Sequence, residues 1–322
     1  MKKLIRFLTF IGLSLCLALP LAACAPDKDG KPGIVCSAFP QYDWARQIIG
    51  GHSDGFEITY LLRNGVDAHN YQPSVADVAA IISCDLFIYI GGPSDEWAED
   101  VLDPAVNKEV NKDMKTVVLV DAGDAQEEKE IEGAQPEEEE EEGPELDEHV
   151  WVSLRKAQSI VDAIADAICE IDAANAGDYR RNAENYKAAL AGLDAGYQAV
   201  ADAGPGDTVL FADRFPFRYM ADDYGLTPYA AFPGCSAETE ASFETITGLS
   251  QKIDELNLNV ILRCDTSDGS IAETVKNNTA AKNQTILVMN PCEHVTGSDI
   301  ANGTTYLSIM ASNLGVLRQA LA

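Results

Sequence analysis

Residues 178–203 place Tyr179, Asn182, Tyr186, Leu190, Leu193 and Tyr197 at helical intervals, and no proline interrupts them before Pro205. That periodicity predicts a single helix. At 1.5 Å per residue its 26 residues span roughly 39 Å, about the length of a whole domain. A rod of that length cannot be folded into one small lobe. It has to join larger bodies, and the flanking sequence supplies two.

Before the rod, short apolar runs alternate with helical spacing. Residues 34–38, 56–62, 86–90 and 116–120 read as strands, and 42–49, a segment around Trp97, and 152–171 read as helices. Ser74-Val75-Ala76-Asp77 reads as a capping box that opens a further helix. After the rod, strands are expected at 208–211, 229–232, 260–263 and 285–289, with helices at 216–223, 243–256, 271–277 and 306–321. Continuous apolar strands between helices imply parallel sheets covered on both faces. The expected fold class is therefore α/β: two Rossmann-like lobes, each with a central, mostly parallel sheet, joined by one long rigid helix. In such sheets ligands bind at the carboxyl ends of strands, so the cleft between the lobes is the expected site.

The start of the chain reads as an address. Met1-Lys2-Lys3-Leu4-Ile5-Arg6 is basic, residues 7–19 are apolar, and Leu21-Ala22-Ala23-Cys24 matches the bacterial lipoprotein box. The expectation is a signal peptide over 1–23, a lipidated Cys24, and a tether over 24–33. The mature protein would then be extracytoplasmic and held to the cell membrane by lipid. The mature organisation is read as an N-terminal lobe over 34–174, the linking helix over 175–205 and a C-terminal lobe over 206–322. Six cysteines remain (Cys36, Cys84, Cys169, Cys235, Cys264 and Cys292), and none forms a CxxC pair. They read as buried free thiols, although an exported location also permits disulfides.

The formal net charge is −29, from 23 Lys+Arg against 52 Asp+Glu. Nucleic acid is thereby disfavoured as a partner, because phosphate backbones recruit Lys and Arg. Much of the charge is local. Residues 127–148 hold thirteen acids against one lysine, with Glu137-Glu138-Glu139-Glu140-Glu141-Glu142 between glycine–proline breaks. Such a stretch cannot pack a core. It reads as a mobile acidic loop that either gathers cations near His149 or serves as a solvated insertion.

Of the four histidines, His69, His149 and His294 fall at strand-end loops or a helix mouth, whereas His52 sits in a glycine-rich turn. Neutral imidazole with carboxylate oxygens suits Zn²⁺ or Mn²⁺. The sequence lacks GxSxG, GxGxxG, HExxH and a P-loop, so the familiar hydrolase and nucleotide-binding motifs are missing.

Two segments carry a family resemblance. Val66-Asp67-Ala68-His69-Asn70-Tyr71-Gln72-Pro73-Ser74 and Asp147-Glu148-His149-Val150-Trp151 resemble the two histidine-ligand segments of the zinc and manganese solute-binding lipoproteins of ABC importers (cluster A-I). The resemblance extends from about Ile34 to Ala322. It implies two α/β lobes with a metal clamped between them, with His69 and His149 as ligands and an ABC permease as partner of a monomer. The second lobe departs from the pattern. Counting back from Tyr224-Gly225-Leu226, the third ligand position holds Arg214, which cannot ligate. Asp213 could take its place, or Arg214 could pair with a carboxylate. Glu238 and Glu240 are further candidates, or ordinary acids at a helix start. For the fourth position the spacing allows Asn290 or His294. His69, His149 and His294 with one carboxylate would suit tetrahedral Zn²⁺; without His294 the set leans to Mn²⁺. The expected metal ligands are thus His69, His149, His294, Asp213 and Glu240. The expected activity is non-enzymatic capture of zinc for an ABC importer. The alternatives are a manganese-binding component, an extracellular zinc hydrolase and an adhesion lipoprotein.

Overall fold

Short apolar runs in each half of the chain pair side by side, all in the same direction. In the first half, β1 (Gly33–Cys36), β2 (Glu57–Tyr60), β3 (Leu86–Tyr89) and β4 (Lys115–Val118) form a parallel sheet ordered β2-β1-β3-β4. In the second half, β5 (Thr208–Arg214), β6 (Thr227–Phe232), β7 (Val260–Cys264) and β8 (Thr285–Met289) repeat that order as β6-β5-β7-β8. These are features of a computed structural model that describes residues 30–103, 107, 110–135, 146–236 and 240–322. The leader with Cys24, the middle of the acidic segment and Glu238 lie outside the described residues. Pro32–Ala322 forms one compact unit.

Parallel neighbours require crossovers, and helices provide them. The first half contains α1 (Phe39–Ile49), α2 (Val75–Ser83), α3 (Trp97–Leu102), α4 (Leu119–Ala122) and α5 (Leu154–Ile171). Next come α6 (Ala176–Ala203) and the second-half helices α7 (Arg218–Tyr224), α8 (Phe243–Leu256), α9 (Ser270–Asn278), α10 (Gly297–Ala301) and α11 (Tyr306–Ala320). β4 ends at Val118, earlier than its expected 116–120, because Leu119 already opens the single turn of α4. In each sheet the chain moves first to one side of its central strand and then to the other. The carboxyl ends beside β1 and β5 are therefore switch points, where crevices open.

Local chemistry explains the long elements. In α5, Ser153 Oγ accepts from Lys156 N, and Leu154, Ala157, Ile160, Val161, Ile164, Ala165 and Ile168 bury one face at i, i+3, i+4 spacing. α6 buries Tyr179, Ala183, Tyr186, Leu190 and Tyr197. One apolar cluster runs through both sheets and α6. At its centre Trp44 meets Tyr306 edge to face at 5.0 Å. Three buried polar tips are satisfied across the junction: Tyr306 Oη donates to Trp151 O (2.6 Å), Trp151 Nε1 to Pro291 O (2.7 Å), and Tyr60 Oη to Val295 O (3.0 Å). Pulling the halves apart would expose aromatic side chains worth about 1.5–3 kcal/mol each, so the junction holds the strand ends in fixed relation.

All six described cysteines are free thiols, and only Cys235 is partly exposed. Among the described residues no helix is long and apolar enough to cross a membrane.

The described flanks of the acidic segment depart from a freely mobile loop. Glu127 bridges antiparallel to Leu146, which closes the base. Glu132 then pairs in parallel with Tyr229, and Gln135 N donates to Ala231 O at 2.9 Å, so residues 132–135 lie along the open edge of β6. That edge offers unpaired backbone groups, and the flank satisfies them.

Candidate metal centre

Each group at the centre stands at or beyond the carboxyl end of a strand, as the switch-point rule requires. His69 lies in the turn Ala68–Asn70 after β2, and Asp67 caps that turn by accepting from His69 N at 3.0 Å. Ser94 lies in the turn Pro93–Asp95 after β3. Its backbone N–H donates to Glu148 Oε2 at 2.9 Å, and its hydroxyl donates to Glu148 Oε1. A serine hydroxyl has one proton to give. Its 2.9 Å contact with His69 Nδ1 therefore makes Nδ1 the donor and leaves Nε2 as the free lone pair.

His149 is completely buried. Asp147 Oδ1 accepts from both His149 N (3.0 Å) and Nδ1 (2.9 Å), so here too Nε2 is the remaining nitrogen. It lies 3.5 Å from Glu293 Oε1, which enters from the turn after β8. His149 Nε2 and both Glu293 oxygens have no hydrogen-bond partner although they are buried. Leaving such groups unmet costs about 1–3 kcal/mol apiece. Donor atoms of His69, His149 and Glu293 all lie within 4.8 Å of one another, as do those of His69, Glu148 and Cys235. Among the described residues these are the two clusters fit to hold a metal ion.

Burial, partly offset by Glu293 and reinforced by His149, lowers His69 to about 4, so its imidazole is neutral. Burial raises Glu148 to about 7 against the opposing pull of His149 and Ser94. Glu293 is held near 2: burial opposes its charge, but His149, Arg214 and His69 outweigh burial. For His149 burial likewise opposes the charge, and Cys235, Asp147 and Glu293 together hold it above the ordinary value. Burial pushes the Cys235 thiol up to about 12, so at neutral pH it is uncharged and the two carboxylates carry the effect.

Arg214 occupies the position where the resemblance calls for a ligand. Its Nη2 lies 3.5 Å from Asp67 Oδ2 and 3.6 Å from Glu293 Oε2. It therefore pairs with carboxylates from both halves of the chain. Asp67, His69, Arg214, Ser236, Thr266 and His294 border a cavity of about 350 Å³ beside the cluster.

The expected ligands fare differently. His69 and His149 come together, with ring centroids 5.9 Å apart. His294 belongs to neither cluster; its Nε2 is 3.8 Å from Asp67 Oδ2, and its Nδ1 is buried without a partner. Asp213 is committed to the sheet, where its oxygens accept from Arg214 N (2.9 Å) and Cys264 N (2.8 Å). Glu240 is exposed and joins neither cluster. Asn290 shapes the turn after β8 by accepting from Cys292 N and donating to Asp265 Oδ2. Reading the sequence did not single out Glu293, Glu148 or Cys235 as candidate metal donors, and the structure places them in the two clusters. The available signal was Glu293 standing beside His294, and Glu148 beside His149.

Two parallel α/β halves that direct buried imidazole and carboxylate groups into the space between their strand ends have the build of a two-lobed solute-binding fold. The chain belongs to the ZnuA family, described as the periplasmic component A of the zinc-uptake complex, which it matches over residues 34–320. It is 30% identical over 324 residues to the zinc-binding lipoprotein AdcA of Streptococcus pneumoniae, a match covering 99% of this chain and 61% of that protein. The chain thus spans under two thirds of that relative. It is 27% identical over 321 residues to the high-affinity zinc uptake system protein ZnuA of Bacillus subtilis, covering 97% of this chain and 94% of that one. The solved Zn(II)-bound ZnuA-like domain of S. pneumoniae AdcA is similar at a TM-score of 0.71 and 27% identity, covering 91% of this chain and 99% of that domain.

Proposed function

We propose that this protein captures Zn²⁺ outside the cytoplasm and delivers it to an ABC importer in the membrane, without catalysing a reaction. One observation carries the reading: His149 Nε2 and both Glu293 oxygens are buried and unpartnered beside His69. A divalent ion among them would satisfy all three atoms at once, and two nitrogens with one oxygen suit a low-coordination Zn²⁺ site. The zinc-binding names of the relatives support the choice of ion. The proposed ligands are His69, His149 and Glu293, with Asp147 and Ser94 orienting the imidazoles.

The lipid anchor belongs to the same proposal. It rests on the Leu21-Ala22-Ala23-Cys24 box and on the lipoprotein name of the pneumococcal relative. The lobes are assigned as 34–174 and 206–322 with 175–205 between them, acting as a monomer. Manganese is the second reading, favoured by one observation: His294 stands outside the cluster and leaves only two imidazoles among the donors. Metal analysis with isothermal titration tests both. One tightly bound Zn²⁺ per chain, lost in His69→Ala and in His149→Ala, is the expected result. Tight Zn²⁺ binding in both variants would overturn the site, and a preference for Mn²⁺ over Zn²⁺ would overturn the ion.

A further inference from the structure

Cys235 stands in the turn after β6, and its sulfur is one of three donors drawn within 4.8 Å of each other. The other two, His69 and Glu148, come from the first half of the chain. The turn is held in place: Gly234 N donates to Glu128 Oε1 at 3.1 Å. A Cβ on Gly234 would stand 3.1 Å from Phe215 O and 3.2 Å from His149 Cε1, so the turn packs tightly against the imidazole. Glu148 is wholly buried, and two bonds from Ser94 fix the direction of its carboxylate. The other five thiols are buried, and none enters such a cluster among the described residues.

We propose that His69, Glu148 and Cys235 form a second metal-holding position, with one nitrogen, one oxygen and one sulfur donor, that shares His69 with the first and makes the centre receptive to thiophilic ions such as Cd²⁺. Thiolate is the soft donor that the position built from His69, His149 and Glu293 lacks, and soft ligands favour soft ions. Because His69 is common to both sets, the two positions are alternative rests for a single ion. Seating the ion forms a sulfur–metal bond and breaks the S–H bond of Cys235. The proton leaves to water, so no oxidant or reductant is involved. Side chains from both halves contribute to this position, as they do to the first. This inference rests on the metal-capture reading and deepens it.

The test is titration of the purified protein with Cd²⁺ and with Co²⁺ while recording ultraviolet and visible absorption. The expected result is a thiolate-to-metal charge-transfer band that saturates at one ion per chain and is absent in Cys235→Ser and Cys235→Ala. The preference for Cd²⁺ over Zn²⁺ should fall by roughly tenfold or more in both variants. Circular dichroism checks that the two variants fold. Tight Zn²⁺ binding with no Cys235-dependent band overturns the sulfur position and leaves the capture reading standing. Failure of the wild-type protein to bind any of the three ions overturns both.

Discussion

Glu293 Oε1 stands 3.5 Å from His149 Nε2, and neither atom has a hydrogen-bond partner. The two side chains come from opposite halves of the chain, one before α5 and the other after β8. Buried polar groups without hydrogen bonds are uncommon, and a bound ion would use both atoms at once. Glu293→Ala should therefore weaken Zn²⁺ binding by about two orders of magnitude, or roughly 2.7 kcal/mol. His294→Ala should change it by less than about threefold, within the range of a substitution away from the contact. Competition against a chelator of known affinity measures both. The reverse ranking would restore His294 as the ligand.

Arg214 links Asp67 and Glu293 across the same space. Removing the cation strands two carboxylates that it neutralises. Arg214→Gln should lower the stability of the ion-free protein by roughly 3 kcal/mol. A divalent cation replaces part of the lost positive charge, so the Zn²⁺-bound variant should lose less. The thermal shift on adding Zn²⁺ should accordingly be larger in Arg214→Gln than in the wild type. Melting curves with and without saturating Zn²⁺ decide it; an equal or smaller shift would mean that Arg214 does not compensate the acidic groups.

Gly92 makes room for the carboxylate that orients Ser94 and, through it, His69. A Cβ there would lie 2.5 Å from Glu148 Oε2 and 2.6 Å from its Cβ. Gly92→Ala should displace Glu148, loosen the Ser94–His69 contact and reduce Zn²⁺ affinity by about tenfold, the usual scale for disturbing a group that orients a ligand. Titration of the folded variant gives the answer. Unchanged affinity would show that the Ser94 relay does not set the imidazole.

Local signals in the sequence were enough for the fold. Val260-Ile261-Leu262 and Leu86-Phe87-Ile88 are apolar and buried because both sheet faces are covered, and Ser74 with Asp77 forms the capping box that its spacing announced. His69 and His149 were legible as a pair because each sits in a short motif. The second half of the centre was not. Whether His294 or its neighbour Glu293 turns inward depends on the Asn290 turn, where Cys292 adopts φ 68° and its N–H is held by Asn290 Oδ1 at 2.7 Å. Consecutive side chains in such a turn diverge, and spacing alone does not choose between them. Cys235 meets His149 only through the docking of the two halves, a contact that no local pattern encodes. Arg214 could be recognised as a non-ligand from its chemistry, but its two carboxylate partners lie in segments far from it in sequence.

Asp43 gives a prediction that is independent of metal. It is buried, its Oδ2 accepts from Tyr306 N at 2.9 Å, and its Oδ1 accepts from Gln47 Nε2 at 3.2 Å, so it ties α1 to the start of α11. Burial raises its pKa above the ordinary carboxylate value, and the bonds from Tyr306 and Gln47 offset only part of that rise. A raised folded-state pKa means that the folded protein holds this proton more tightly than the unfolded chain does. The stabilisation is full below the unfolded value of about 3.9 and is lost as pH rises through the folded value. At pH 7 the wild type therefore carries the whole cost of a buried charge. Asp43→Asn keeps an acceptor for Tyr306 without that charge, so it should melt higher than the wild type at pH 7, and the gap should close toward pH 4. Asp43→Ala leaves the Tyr306 N–H unmet and should cost about 1–3 kcal/mol. Melting both variants across this pH range is the check, and a gap for Asp43→Asn that stays constant with pH would rule out the buried charge as its cause.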